Sequence, residues 1–485
     1  MNTHTNTITT HENPRRVTAS TPAHYVLPAT TADSRRLARA WLWLALAALL
    51  GSGLFSVLLV LARTPGINAL LPGGDFFRVA LVVHVDLSVL VWFIAIAGVL
   101  WSLNLKPTIT PWGRRFAWLA LVLCTTGALG MALAPFVDSG EAIMANYIPM
   151  IDSAAFRAAL LLFAAGGLSL VLLTMACTVP IGPAVDGTGA LRFGLHASAV
   201  AAAVALLAFG WSWVVIPAGL PANAYYEILY WGGGHALQFT WTLLMLVSWL
   251  VLVQACGGQV PLSPRIVLLL FCVALLGVFA TPLAYLMHDI SSVEHRHLHT
   301  WAMRLGGGTA IAPLMLAVLL GLAPLRRLTA SLRPLRAAVL ASLLLFVAGG
   351  VIGLTIDGNN VRIPAHYHGS IVGVTLALMG MIYWLLPRLG YVAPSGRIAL
   401  LQPWLYGGGQ LLHIIGLMWS GGYGVQRKVA GAEQVLRTSG EIAGMGLMGL
   451  GGLLAIVGGL LFAWVVIRAM RGDVARCNGA QRSAA

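Results

Sequence analysis

AHYHGSIVGVTLALMGMIYWLLP, residues 365–387, is an apolar run with two histidines at its head. Its length suits one bilayer crossing as a helix, which needs about 20 apolar residues. Residues two apart on a helix differ by about 200° of rotation, so His366 and His368 point to opposite flanks. Neutral imidazole is a standard axial ligand for heme iron, and one helix carrying HxH can hold a heme on each side. Two helix-start histidines paired with loop carbonyls are the plainer alternative.

Outward from this stretch the same pattern repeats. Of 485 residues 59% are hydrophobic and 9% charged, with mean hydropathy +0.85; a soluble protein carries about 25% charged residues. The expectation is one all-α polytopic bundle in lipid, with twelve spans near 41–62, 79–103, 116–136, 156–178, 194–216, 230–256, 266–287, 301–322, 335–356, 366–387, 399–418 and 440–467. Residues 1–40 read as a flexible cytosolic tail, 41–470 as the catalytic membrane domain and 471–485 as a cytosolic C-terminal tail.

With both tails on one side, that side holds 20 of the 29 basic residues and four acids, and the other face carries nine basic residues and the remaining acids. Lys106, Arg114, Arg115, Arg192, Arg265, Arg326, Arg327, Arg333, Arg336, Arg388 and Arg397 supply the asymmetry loop after loop. This is the positive-inside pattern of a bacterial-type inner membrane with cytosolic termini. The net charge of +14 is thus a topology signal, and no nucleic-acid partner is implied. Cys124, Cys177, Cys256, Cys272 and Cys477 form no CxxC, CxxCH or CxxxC pair. The chain therefore carries no covalent c-type heme, iron–sulfur cluster or dicopper centre of its own.

Polar side chains inside spans are costly and usually functional. A lone buried histidine is commonly a satisfied core residue. Here His84, His235, His288, His366 and His368 fall on four spans at one depth, in the outer third of the membrane, and core packing does not explain that alignment.

FRVALVVHVDLSVLVWF (77–93), LYWGGGHALQFTWTLL (229–244), the stretch at 365–387 and QLLHIIGLMWSGGYGVQRK (410–428) resemble helices II, VI, X and XI of subunit I of the heme-copper oxidase superfamily. The order, spacing and twelve-span layout match over the chain after residue 40. The resemblance implies that His84 and His368 ligate a low-spin heme and His366 a high-spin heme, both expected to be b type. It implies that His235 binds a second metal, and that Arg427 and Lys428 contact heme propionates.

Two departures bear on the substrate. Where the family has two adjacent histidines, this chain reads LMHDISSVEHRHLHTW (286–301). The expected ligand set is His235, His288 and Asp289, compatible with non-heme iron as well as copper. Asp289 could instead be a helix-end acid paired with Arg296 or Arg304. His295, His297 and His299 are expected at the propionate region or facing water, although one of them could replace Asp289. Four residues after His235, where oxygen-reducing members carry a tyrosine, stands Phe239; Tyr285 is the other aromatic near the site. Gln238 adds a polar group to the pocket. Inner-half carboxylates are almost absent, so proton pumping is not expected, and Asp86, Glu227, Glu294 and Asp357 are candidates for an outer proton path.

The resemblance is closest to the oxidase-like nitric oxide reductases with an altered ligand set. The implied reaction is reduction of nitric oxide to nitrous oxide, with a terminal oxygen reductase as the alternative. A transporter is a remote alternative, for which neither internal repeats nor discontinuous midplane helices are evident. Electrons would arrive through a second subunit bearing a dicopper centre or c-type heme, from a periplasmic donor such as cytochrome c or a cupredoxin, or from quinol.

Overall fold

The computed structural model describes residues 24–28, 30–67, 74–182, 185–325 and 328–472. Arg326, Arg327, Cys477 and nearly all of the 471–485 tail lie outside the described residues. Twelve long helices follow one another: α1 (Ala32–Arg63), α2 (Asp75–Ser102), α3 (Pro111–Val137), α4 (Ala154–Cys177), α5 (Gly187–Val215), α6 (Ala222–Ala255), α7 (Pro264–Met287), α8 (Val293–Leu322), α9 (Arg333–Leu354), α10 (Arg362–Arg388), α11 (Gly396–Gly422) and α12 (Ser439–Arg471). All but α11 are long and apolar enough to cross a membrane by length and composition. α11 is as long as its neighbours but interrupted by polar and glycine positions.

The starts are written locally. Thr31, Thr110, Ser153, Asp186, Ser263 and Ser292 each accept a backbone N–H from the first turn, and Thr438 forms a reciprocal capping box with Glu441. Such caps satisfy donors that the helix itself cannot.

Residues 24–28 and 30–40 differ from the flexible tail expected of them. The Tyr25 side chain is buried and its hydroxyl donates to the Leu262 carbonyl at 2.8 Å, while α1 already begins at Ala32. The polar and basic residues around Arg35 to Arg39 lower local hydropathy without preventing a helix.

In α6 and α10, 89% of the most apolar stretch is buried, against 28% in α7. These two helices are therefore the centre of the bundle, and they carry His235, His366 and His368. α11 and α12 approach through facing glycines: a Cβ on Gly416 would lie 2.4 Å from the Met448 nitrogen. Small residues at such a seam let helix backbones pack closely in lipid.

Two helices are wound irregularly beside histidines. α2 passes through a π-helical turn at Asp86–Val91, just after His84, and α8 through another at Ala302–Gly307, just after His299. π-turns inside α-helices cluster at functional sites. Between α3 and α4 a short hairpin, β1 (Ala142–Ile143) antiparallel to β2 (Met150–Ile151), carries the turn that holds Asn146 and Tyr147.

Candidate heme and metal centre

Six of the candidate histidines are anchored to a backbone carbonyl through Nδ1. The Nδ1 of His84 faces the Ser52 carbonyl at 3.1 Å, that of His366 the Gly349 carbonyl at 2.7 Å and that of His368 the Pro364 carbonyl at 2.8 Å. In the second group His235 Nδ1 meets Trp231 O at 2.8 Å, His299 Nδ1 meets His295 O at 2.9 Å and His295 Nδ1 meets Ala284 O at 3.3 Å. A carbonyl only accepts, so an Nδ1–H that faces one leaves Nε2 with its lone pair; at His84 the Ser52 hydroxyl also lies 2.9 Å from Nδ1. This is the outer-shell arrangement that orients metal-binding imidazoles.

The structure separates the ligand candidates at the α7–α8 corner. Asp289 is exposed and accepts from the Ser291 amide at 2.8 Å and from its hydroxyl. Those bonds hold its carboxyl below the usual carboxylate range. It pairs with neither Arg296 nor Arg304, and Arg296 lies instead over the Trp231 ring. His288 ends α7 half-buried, and no contact joins it to His235. His295 and His299 are each 1% exposed, with ring centroids 4.6 Å apart, and His299 lies 5.6 Å from His235. His235, His295 and His299 thus lie near one another, while Asp289 is exposed and no contact joins His288 to His235. The reason is helical: positions four apart share a face, so the first turn of α8 turns His295 and His299 inward and leaves His297 exposed.

The Nε2 atoms of His295 and His299 are buried without a hydrogen-bond partner. Buried polar atoms are seldom orphaned, and imidazole nitrogens are donors suited to copper, zinc or iron. As placed, no group of three or more His, Cys, Asp or Glu among the described residues could hold a metal ion. The orphaned Nε2 atoms of His295 and His299 have the donor chemistry that a second metal would use.

Aromatic side chains pack tightly around His235 because of the triple glycine before it. A Cβ on Gly232 would lie 2.4 Å from the Tyr285 hydroxyl, one on Gly233 2.3 Å from Phe209, and one on Gly234 2.2 Å from the Tyr147 ring. Tyr285 touches His295 edge-on at 4.7 Å, but its hydroxyl bonds Ser212 at 2.6 Å and Ala208 O at 3.2 Å, away from the histidines. Phe239 is buried beside Gly277 and Gly306, where α7 and α8 meet.

Two contributors were not apparent in the sequence. Tyr147, from the α3–α4 connection, places its hydroxyl 3.0 Å from His235 Nε2, and Gln238 is near enough to interact with that hydroxyl. Burial pushes its phenol well above the ordinary range, and the Glu227 carboxylate adds to this. His413, within the 410–428 stretch, lies 4.9 Å from His368 ring to ring and bonds Met448 O through Nδ1 at 2.9 Å. The i−4 spacing of an apolar helix offers no signal that singles it out.

Arg427 and Lys428 face the α3–α4 loop. Arg427 donates to Asn359 and Asn146, while Lys428 donates to Met144 O and Asn146. Burial, followed by the Arg427 charge, pushes the Lys428 ammonium down to about 8. Of the candidate outer acids, Glu227 is bound by the Asn146 amide at 2.8 Å and side chain at 2.6 Å. Asp86 is buried with neither oxygen partnered, and Glu294 and Asp357 are exposed.

Residues 36–461 match the family model for cytochrome c and quinol oxidase polypeptide I. The chain is 28% identical over 500 aligned positions to an uncharacterised protein of Rickettsia prowazekii, covering 90% of this chain and 96% of that one. It is 26% identical over 294 positions to cytochrome c oxidase subunit 1 of Thermus thermophilus, covering 52% of this chain and 49% of that one. A heme-copper terminal oxidase dimer solved by cryo-electron microscopy superposes with TM-score 0.66 at 18% identity, over 92% of this chain and 85% of that one. With its carbonyl-anchored histidines on α2, α6, α8 and α10, the chain belongs to the cytochrome c and quinol oxidase polypeptide I family.

Proposed function

We propose that this chain is the catalytic subunit of a respiratory nitric oxide reductase, carrying out 2 NO + 2 e⁻ + 2 H⁺ → N₂O + H₂O. The observation that carries the reading is Phe239. It stands one helical turn after His235 as a buried phenyl ring against Gly277 and Gly306. A phenyl ring donates no proton and is not oxidised at accessible potential, so the turn of α6 after His235 offers no redox-active phenol. Coupling two NO molecules needs only two electrons and two protons.

His84 and His368 would hold a low-spin heme, His366 a high-spin heme, and His235, His295 and His299 a second metal. When bound, these groups supply the electrons and the Lewis acidity at the site. The chain's own part is to orient each imidazole through Nδ1 and to exclude water with Trp231, Tyr147 and Tyr285. Glu227 ties the α3–α4 turn to α6 near the site through Asn146. On the charge asymmetry of the loops, this end of the bundle is the periplasmic face of a bacterial inner membrane. Electrons then come through a partner subunit with a c-type heme or dicopper centre.

Terminal oxygen reduction is the second reading. It is favoured by the Tyr147 hydroxyl against His235, a phenol reaching the site from a loop where the turn of α6 after His235 has Phe239, and by the name of the Thermus relative. The deciding measurement is NO and O₂ consumption by the purified complex with one reduced donor. NO turnover to N₂O with slow O₂ uptake is expected; rapid four-electron O₂ uptake with little NO turnover would replace the first reading with the second.

A further inference from the structure

We propose that the groove between α9 and α11 seats one anionic phospholipid, its acyl chain between the two helices and its phosphate on Arg362. The inference stands apart from which gas is reduced and rests on the membrane-spanning fold alone. The groove has a volume of about 470 Å³, and every residue lining it is apolar. Val351 of α9 and Ile415 and Trp419 of α11 are exposed along it. Met418 lies toward the end where the two helices are joined, its sulfur accepting from the Thr355 hydroxyl at 3.6 Å. Trp419 stands in the last turn of α11. An indole in the last turn of a span belongs at the level of the lipid headgroups.

Arg362 supplies the charge at that level. It opens α10, and its side chain crosses to the end of α11: a Cβ on Gly421 would lie 2.6 Å from its Cγ, and one on Gly422 3.5 Å from its Nη2. Its Nη1 donates to the Thr355 carbonyl, just past α9, at 3.2 Å. The guanidinium therefore bridges the same two helices that wall the groove. Its Nε is buried without a hydrogen-bond partner, and among the described residues no carboxylate, the exposed Asp357 included, forms an ion pair with it. A guanidinium carries five donors in a fork that matches phosphate, and a single carbonyl leaves most of that capacity unused. An apolar cleft ending in an unpaired cation at headgroup depth is the complement of an anionic phospholipid. A quinol is the poorer match, because its oxidation releases protons and no side chain lining the groove can take one. Ala348 of the groove adjoins Gly349, whose carbonyl anchors His366, so a seated chain covers the lipid side of the turn that holds this imidazole.

The test is native mass spectrometry of the purified complex, counting lipids retained per chain after addition of phosphatidylglycerol, phosphatidylcholine or a long-chain quinone. We expect the wild type to hold one phosphatidylglycerol more than Arg362→Gln, which recovers it only at about fivefold higher lipid concentration. Arg362→Lys keeps the charge and should keep the lipid. Val351→Trp fills the groove with Arg362 in place and should lose it. The phosphatidylcholine count should be the same in the wild type and Arg362→Gln, and an unchanged heme spectrum shows that each variant is folded. Equal phosphatidylglycerol counts in the wild type and Arg362→Gln overturn the inference. So does loss from Arg362→Lys as complete as from Arg362→Gln, retention by Val351→Trp, or displacement of the lipid by the quinone.

Discussion

The two histidine groups solve different problems with the same anchoring device. Around α10, His366 and His368 are half-buried and splayed to opposite flanks, each tied at Nδ1 to a carbonyl. Around α6 and α8, His235, His295 and His299 are buried and face one another. Rings turned outward from one helix suit flat cofactors that slide between helices. Rings converging from two helices suit a single ion. The difference teaches that the residue type does not say which kind of site a histidine builds; the faces of its helix and the neighbouring helix do.

The largest effect expected from breaking this contrast is at His235. His235→Ala should lower NO turnover by several kcal/mol of barrier, about a thousandfold, while heme content stays at the wild-type level. Turnover within tenfold of wild type would remove His235 from the chemistry. On the other side, His368→Ala should lose the low-spin heme absorption while the non-heme metal remains, as read by difference spectroscopy and elemental analysis. Loss of both together would mean the two groups are not independent.

A finer cut falls within the α7–α8 corner. His299→Ala should weaken retention of the non-heme metal by about 10–100-fold, and Asp289→Asn, on its exposed turn, should leave retention within about twofold. The reverse ranking would restore the two-histidine, one-carboxylate set. The smallest effect is a pH dependence at Lys428. Its folded pKa of about 8 lies below the ordinary lysine value, so the ammonium is present below pH 8 and is lost as pH rises through it. Burial disfavours the charged form, so this group's contribution to stability increases with pH between about 8 and the unfolded value near 10.4. Its positive charge favours electron addition nearby, so the heme midpoint potentials should step down across pH 8. Lys428→Arg should flatten that step. A step of unchanged size and position in this variant would assign it to another group.

Much of the architecture was legible from hydropathy. Spans of about 20 apolar residues and the arginine-rich loops of one side follow from what lipid permits the backbone to do, and the twelve helices fall where those runs lie. His84, His235, His366 and His368 stand out in the sequence as candidates, because imidazoles recurring at one depth in apolar spans have no ordinary packing rationale. The partners at the corner were not. HDISSVEHRHLH presents four histidines and two acids within twelve residues, and only the break at Asp289 to Ser292 and the helix restarting at Val293 decide that positions 295 and 299 turn inward.

By itself the sequence determined the membrane-spanning class, the order of the helices and the histidines that could not be ordinary core, because the lipid constraint acts on each segment separately. Only the tertiary structure decided that Tyr147 reaches His235 across 88 residues of chain, that His413 lies beside His368, and that Arg427 and Lys428 grip the loop bearing Tyr147. Those contacts arise from glycine gaps, a left-handed turn and two loops closing over one end of the bundle. They are relations between segments, which no local pattern of hydropathy encodes.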